Sequence, residues 1–213
     1  VDNVNNRILT PQEEERFIEV CLEELDNPSV ACLLFSLCTG PRITNNCQVK
    51  WEDIDLENNT MLLEKTKTNK QHLLPLSDEA ISILQKMQSQ RAGPYVFSKD
   101  PSGLKPISYP RSVFTRLCKK AGISTTGALH NGREGFPAKP VTIHCLRKTN
   151  VSRLLQKYND IYLCKEILGH SDIKVTGRYA FYLSEQLKRS VNGVIKLPMM
   201  ELPPAGHSEN LVK

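Results

Sequence analysis

The 213-residue chain has no apolar run approaching the roughly 18 to 20 residues needed to span a bilayer. It also has no charged stretch followed by an apolar one of the kind that marks a secretory leader. A cytoplasmic protein is the expectation. Its seven cysteines, at 21, 32, 38, 47, 118, 145 and 164, are odd in number, and no two have C-x-x-C spacing. Neither a zinc site nor a disulfide framework is signalled, and free buried thiols are expected. No carboxylate cluster points to a two-metal site, so a metal nuclease is not indicated. Internal repeats and low-complexity tracts are absent as well. The chain does not begin with methionine, which suggests a fragment of something longer.

Basic residues are scarce in one region only. Residues 1–64 hold 4 Lys/Arg against 13 Asp/Glu, whereas residues 65–213 hold 24 against 10. The overall balance of +5 thus hides an acidic first third and a basic remainder. Such a basic remainder suits a polyanionic partner, nucleic acid first, although a solvated basic face would look the same.

The residues present predict a mainly α domain with a small antiparallel three-stranded sheet. Thr10-Pro11-Gln12-Glu13 is a capping box with proline at the first helical position, opening a helix to about Leu25. Ser29 is expected to cap a second, buried helix through Cys38, ended by Thr39-Gly40-Pro41, with a short helix from near Arg42. The period then changes. Val49 to Leu76 predicts three strands, with turns at Glu57-Asn58-Asn59 and Thr68-Asn69-Lys70. Ser77 opens a helix to about Arg91, with Ile81, Leu84 and Met87 inward, and another spans Tyr109 to Ala121. Residues 123–140 lack periodicity and predict a long exposed loop. Thr142 opens a helix to about Tyr158, Asp160 caps the next to Leu168, and Ser171 a short one leading to Tyr179. A last helix covers roughly Leu183 to Asn192, before a proline-rich tail expected to be mobile. The organisation expected is a start or linker at 1–9, a domain at 10–195 and a tail at 196–213.

Six residues carry the candidate chemistry, and each alone has an ordinary explanation. His144 and Arg147 in HCLRKTN share a helical face, but His-x-x-Arg often arises by chance as a surface pair. His170 follows Gly169, where a cation beyond a helix C-terminus is welcome anyway. Tyr179 alone reads as a packing residue, and Lys67 as a solvated hairpin lysine. Arg42 is the odd one, because the dipole disfavours a cation at a helix start. Something other than local stability placed it there.

Taken together, the six resemble the tyrosine recombinase (phage integrase) family in order and spacing. CTGPRI resembles that family's entry to its first arginine helix. WEDIDLENNTMLLEKTKTNKQHLLPLSDEA resembles its three-stranded sheet with a catalytic lysine, here Lys67. TIHCLRKT resembles its H-x-L-R-x-T box, and LGHSDIKVTGRYAF its segment ending in the tyrosine. The resemblance covers residues 10 to about 190 and implies the family's catalytic-domain fold. Two departures stand out. Pro41 replaces a usual apolar residue, and Asn45 replaces a usual acidic one that orients its neighbours.

The resemblance implies a site-specific DNA recombinase or integrase working through a 3′-phosphotyrosine, without metal, ATP or other cofactor. Tyr179 is the implied nucleophile, His144 the proton-transfer assistant and Lys67 the acid at the leaving oxygen. Arg42, Arg147 and His170 are the implied holders of the phosphate. The implied partners are double-stranded DNA, a homotetramer assembled on it from free monomers, and accessory DNA-bending proteins, in a nucleoid-associated setting. The tail after Asn192, with Val191, Val194, Ile195 and Leu197, is expected to pack on a neighbouring protomer. Lys119, Lys120, Arg133, Lys139, Lys148 and Arg153 are candidates for backbone phosphate contacts. The alternatives are a catalytically silent DNA-binding protein of the same fold and a type IB topoisomerase-like strand-passing enzyme.

Overall fold

The computed structural model describes residues 7–63, 72–125 and 140–168. Among these there are seven α-helices, one of them buried at the centre of the others, and a three-stranded sheet.

Helix α1 (Pro11–Leu22) begins as its sequence dictates. The Glu13 amide donates to Thr10 Oγ1 at 3.2 Å, and the Thr10 amide donates to Glu13 Oε2 at 2.9 Å. It stops three residues earlier than Leu25, because residues 23–26 turn instead. Helix α2 (Pro28–Thr39) is capped by Asn27 rather than Ser29. Asn27 Oδ1 accepts from the Ser29 amide at 3.0 Å, and Pro28, with no amide to satisfy, takes the first helical position.

Helix α2 is the centre of the core. Val30, Ala31, Cys32, Leu33 and Phe35 are fully buried. Full burial of each large apolar side chain contributes about 1.5–3 kcal/mol. The helix touches α1, α3 (Ile43–Cys47), α4 (Asp78–Gln88), α5 (Arg111–Lys120) and α6 (His144–Tyr158). Phe35 stacks obliquely on Phe97 at 5.5 Å, and Phe17 of α1 on Phe114 of α5 at 5.9 Å.

The sheet runs β1 (Ile54–Asp55), β2 (Thr60–Leu63), β3 (His72–Pro75), antiparallel throughout. Asn59 takes a left-handed φ of 51° in the first turn, as a turn asparagine readily does. In the β2–β3 pair Met61 opposes Leu74, and both are buried. Residues 49–51 do not extend the sheet. They pair with 94–96 instead, through Trp51 N–H to the Pro94 carbonyl and Val96 N–H to the Val49 carbonyl. The Thr68-Asn69-Lys70 turn lies outside the described residues.

Ser77 caps α4, whose inner face carries Ala80, Ile83, Leu84 and Met87, with Ile81 only partly covered. It ends at Gln88, short of Arg91. Helix α5 starts at Arg111, two residues after Tyr109, because Pro110 stands at its cap. The stretch after it is not wholly an exposed loop. Ile123 and Val141 are buried, and Val141 N–H donates to the Ser124 carbonyl. An apolar pair therefore ties both ends of the segment to the core. Helix α6 starts at His144 rather than Thr142, whose carbonyl accepts from the Cys145 amide. Helix α7 (Ile161–Leu168) is capped by Asp160 Oδ1, which accepts from the amides of Tyr162 and Leu163. The expected short helix to Tyr179, the last helix and the tail lie outside the described residues.

The seven cysteines are free thiols, six buried and Cys38 half-buried. Burial pushes Cys21, Cys38 and Cys118 up to about 12, which leaves them inert. Among the described residues no helix is long and apolar enough to cross a membrane.

Candidate active site

The site is organised by the end of α2. Its last carbonyls have no partner within the helix, and α6 supplies them. Asn150 Nδ2 donates to the carbonyls of Leu37 and Cys38 at 3.0 and 2.9 Å. One turn earlier on α6, Arg147 Nη1 donates to the Gly40 carbonyl at 2.6 Å. Gly40 itself has φ +84°, and a Cβ there would lie 2.4 Å from Asn150 Oδ1 and 2.9 Å from Leu168 Cδ2. Only glycine fits this turn, both in conformation and in space. The turn therefore gathers α2, α6 and the end of α7 at one point.

Two residues later the chain leaves that point with Arg42. Its φ of −63° and ψ of 136° are extended, and its carbonyl accepts from the amides of Asn45 and Asn46 to start α3. Pro41 is buried at the junction, whereas Arg42 and Asn45 are exposed. The Arg42 guanidinium makes no ion pair or hydrogen bond with a described residue. Arg147, by contrast, is only 8% exposed and has its guanidinium fixed by the Gly40 carbonyl.

His144 is the first residue of α6, where the positive end of the helix dipole already disfavours an imidazolium. Its pKa is lowered from 6.5, first by partial burial and then by the charges of Lys148, Arg147 and Arg42. This electrostatic coupling places all four groups in one neighbourhood. His144 is thereby kept neutral at physiological pH and able to accept a proton. Among the described residues no group of three or more His, Cys, Asp or Glu could hold a metal ion. A concentration of guanidinium and ammonium charge around a neutral imidazole suits an anion such as a phosphodiester.

The structure thus brings together Arg42, His144 and Arg147. Lys67, His170 and Tyr179 lie outside the described residues, as do Arg133 and Lys139.

The remaining basic candidates separate by their surroundings. Lys119 is exposed on α5 and forms no ion pair with a described residue. Lys120 is paired with Glu23 and Glu24 of the segment after α1, at 2.7 and 3.3 Å. Arg153 is held by Glu14 at 2.7 Å and reaches the Leu9 carbonyl at 3.5 Å, fastening α6 to α1. The charges of Lys120 and Arg153 are thus engaged within the protein. Lys148 is 9% exposed, and its charge is among those that lower the pKa of His144.

Sequence reasoning missed this role of Lys148, although its place four residues after His144 was a signal that both share a face. It missed Asn150 too, for which only the same helical spacing, one turn after Arg147, gave a hint.

The model of the phage integrase family matches residues 7–185, and the chain belongs to that family. The chain is 28% identical over 211 residues to the integrase of Salmonella phage P22, covering 98% of this chain and 52% of that protein. It is 26% identical over 189 residues to tyrosine recombinase XerA of Pyrococcus furiosus, covering 86% and 60%. The chain thus spans about half the length of the curated relatives it matches. Among solved structures, the XerA recombinase superposes with a TM-score of 0.67 at 22% identity, over 87% of this chain and 65% of that one. The catalytic domain of bacteriophage HP1 integrase gives 0.58 at 22%, over 88% and 95%. The Tn1549 transposon integrase in complex with a circular intermediate DNA gives 0.67 at 22%, over 88% and 67%. The fold is that of tyrosine recombinase catalytic domains, as the sequence motifs implied.

Proposed function

We propose that this chain is the catalytic part, residues 10–195, of a site-specific DNA recombinase or integrase that cuts and rejoins strands through a 3′-phosphotyrosine. The observation that carries the reading is the convergence of Arg42, Arg147 and a neutral His144 at the Gly40 turn. Family membership and DNA-bound relatives, such as the XerH recombinase on its palindromic difH substrate, support it.

In this reading Tyr179 Oη attacks a backbone phosphorus. Forming its anion at pH 7 costs roughly 4 kcal/mol for a pKa near 10, so a proton acceptor is required. His144, kept neutral by its surroundings, is suited to that part. Arg42 and Arg147 neutralise the non-bridging oxygens, with His170 holding a phosphate oxygen. Lys67 protonates the departing 5′ oxygen. The phosphotyrosine retains the bond energy, and a 5′ hydroxyl from another strand reverses the step. Neither metal nor ATP is needed.

Double-stranded DNA is the partner. A tetramer assembled on it from monomers, with accessory DNA-bending proteins, is the working assembly in a cytoplasmic, nucleoid-associated setting. The tail after Asn192 packs on a neighbour. The topoisomerase-like alternative gains nothing from the relatives above, whose names are integrase and recombinase. The catalytically silent alternative is decided by substitution. Tyr179→Phe is expected to abolish covalent attachment to DNA and leave affinity nearly unchanged. Loss of both together would make Tyr179 structural and overturn its assignment.

A further inference from the structure

We propose that Cys32 and Cys47 form a peroxide-sensitive dithiol: a hydroperoxide joins them in a disulfide that draws α3 onto α2 and displaces Arg42. The modification site stands on the two sulfurs and what surrounds them. Its effect on cleavage rests on the reading of Arg42 as a holder of the phosphate.

Cys32 Sγ and Cys47 Sγ lie 4.0 Å apart inside the core, in hydrogen-bond contact. A disulfide needs about 2.05 Å between its sulfurs, so the pair must close by about 2 Å. The two sides do not yield equally. Cys32 is fully buried in α2, the centre of the core. Cys47 is the last residue of α3, a helix of only five residues. A polar relay clasps α3 to α2. Asn46 Nδ2 donates to Ser36 Oγ at 2.8 Å, and Ser36 Oγ donates to the Cys32 carbonyl at 2.7 Å. The clasp is incomplete, because Asn46 Oδ1 is buried without a hydrogen-bond partner among the described residues. An orphaned buried oxygen costs free energy, so α3 is the side that gives.

The contact also makes the two thiols unequal. Burial first, and then the neighbouring Cys47, pushes Cys32 up, so Cys32 keeps its proton and donates it. The hydrogen bond from Cys32 draws Cys47 below the ordinary thiol value, against the effect of burial. Cys47 is thus the nucleophile, since the thiolate is the reacting form. Tyr109, 44% exposed, stands near enough to feel a charge on Cys47. Cys47 therefore lies towards the surface side of the core, and local opening of the single-turn α3 admits a small oxidant.

The reaction balances in two steps. The Cys47 sulfur attacks one oxygen of the hydroperoxide, and the O–O bond breaks. Cys47 becomes a sulfenic acid, and the other oxygen leaves as water or an alcohol, carrying the proton that the thiol gave up. The Cys32 sulfur then attacks the sulfenic sulfur. The S–S bond forms, the S–O bond breaks, and hydroxide departs with the Cys32 proton as water. The thiols lose two electrons and the hydroperoxide gains them.

Arg42 immediately precedes α3, and its carbonyl accepts from the amides of Asn45 and Asn46. Pulling Cys47 towards α2 therefore carries Arg42 with it. Arg147 stays, because its guanidinium is fixed by the Gly40 carbonyl. A misplacement of about 1 Å in a positioning group can cost about 10²-fold in rate.

The test treats the reduced full chain with hydrogen peroxide and then removes the peroxide with catalase. Free thiols are expected to fall from seven to five, a loss of two. The mass should fall by two hydrogens, and a non-reducing digest should yield a peptide joining Cys32 to Cys47. Single-turnover cleavage of a suicide duplex is expected to slow at least about tenfold and to recover in dithiothreitol. Cys47→Ser should cleave within about twofold of the reduced chain and keep its rate after peroxide. Should Cys47→Ser melt early, Cys47→Ala provides the same comparison. Seven thiols remaining, Cys47 ending as an unpaired sulfinic acid, or a disulfide between other cysteines or between two chains would overturn the site. If the disulfide forms and cleavage is unchanged, or if peroxide slows Cys47→Ser as much as the parent, oxidation of this pair does not act on Arg42. If the reduced chain forms no adduct with DNA, the reading of its catalysis fails and takes the effect on cleavage with it, while the thiol count and the joined peptide still decide the modification site.

Discussion

Gly40→Ala tests how the site is built. The substitution adds one methyl group at a φ of +84°, a conformation that costs an L-residue about 1–2 kcal/mol. The methyl carbon would lie 2.4 Å from Asn150 Oδ1, so Asn150 must move. Moving it breaks two hydrogen bonds, to Leu37 and Cys38, each worth about 1 kcal/mol. The total is about 3–4 kcal/mol, a large share of the roughly 5–15 kcal/mol that stabilises a domain. Urea denaturation at constant m-value measures it directly. Asn150→Ala alone is expected to cost about 2 kcal/mol, since it orphans the same carbonyls. The double variant is expected near the Gly40→Ala value, because the clash and the lost bonds are one event. The cycle should therefore show about 2 kcal/mol of coupling. A Gly40→Ala loss below about 1 kcal/mol, or strict additivity, would refute the reasoning.

Further outcomes follow from the same geometry. Arg42→Ala is expected to change stability by no more than about 0.5 kcal/mol while lowering single-turnover cleavage about 10²-fold, because Arg42 is exposed and makes no ion pair or hydrogen bond with a described residue. Arg147→Ala should instead lose both cleavage and about 1–3 kcal/mol of stability, since it strips the Gly40 carbonyl of its donor. For His144 the folded pKa lies below 6.5, so proton acceptance persists as pH falls past 6.5 and fails only lower. Any contribution of this residue to stability is likewise present above 6.5 and lost as pH falls through the folded value. A cleavage profile between pH 5 and 8 whose ascending limb is centred above 6.5, or survives His144→Gln, would contradict this. Lys119→Gln should reduce the slope of log affinity against log salt by about 1, whereas Arg153→Gln should leave the slope unchanged.

The sequence made some elements plain because their signals are local. The Thr10 capping box, Ser77 and Asp160 each satisfy amides within three residues of themselves. The swap of Ser29 for Asn27 as the α2 cap shows the limit: both are good caps, and Pro28 decides between them by claiming the first helical position. Ile123 was hidden in a stretch without period, and Val141 lay just beyond it, because their burial is set by the core they reach and not by their neighbours. Arg42, His144 and Arg147 were legible as a set of spacings. What holds them together was not, since Arg147 to Gly40 and Asn150 to Leu37 span more than a hundred residues. The basic candidates divided for the same reason. A lysine letter is the same whether its partner is Glu23, the neighbourhood of His144 or solvent.

The central claim is that Tyr179 becomes joined to DNA at a site whose phosphate is held by Arg42 and Arg147. The most direct measurement mixes the chain, without metal, with duplex DNA bearing a candidate attachment site, nicked so that the cleaved 5′ fragment diffuses away. The account predicts a denaturant-resistant adduct that maps by peptide sequencing to Tyr179 and is lost in Tyr179→Phe. Intact DNA binding with no adduct, in this chain and in any longer protein containing it, would contradict the account and leave a DNA-binding domain without strand-cutting chemistry.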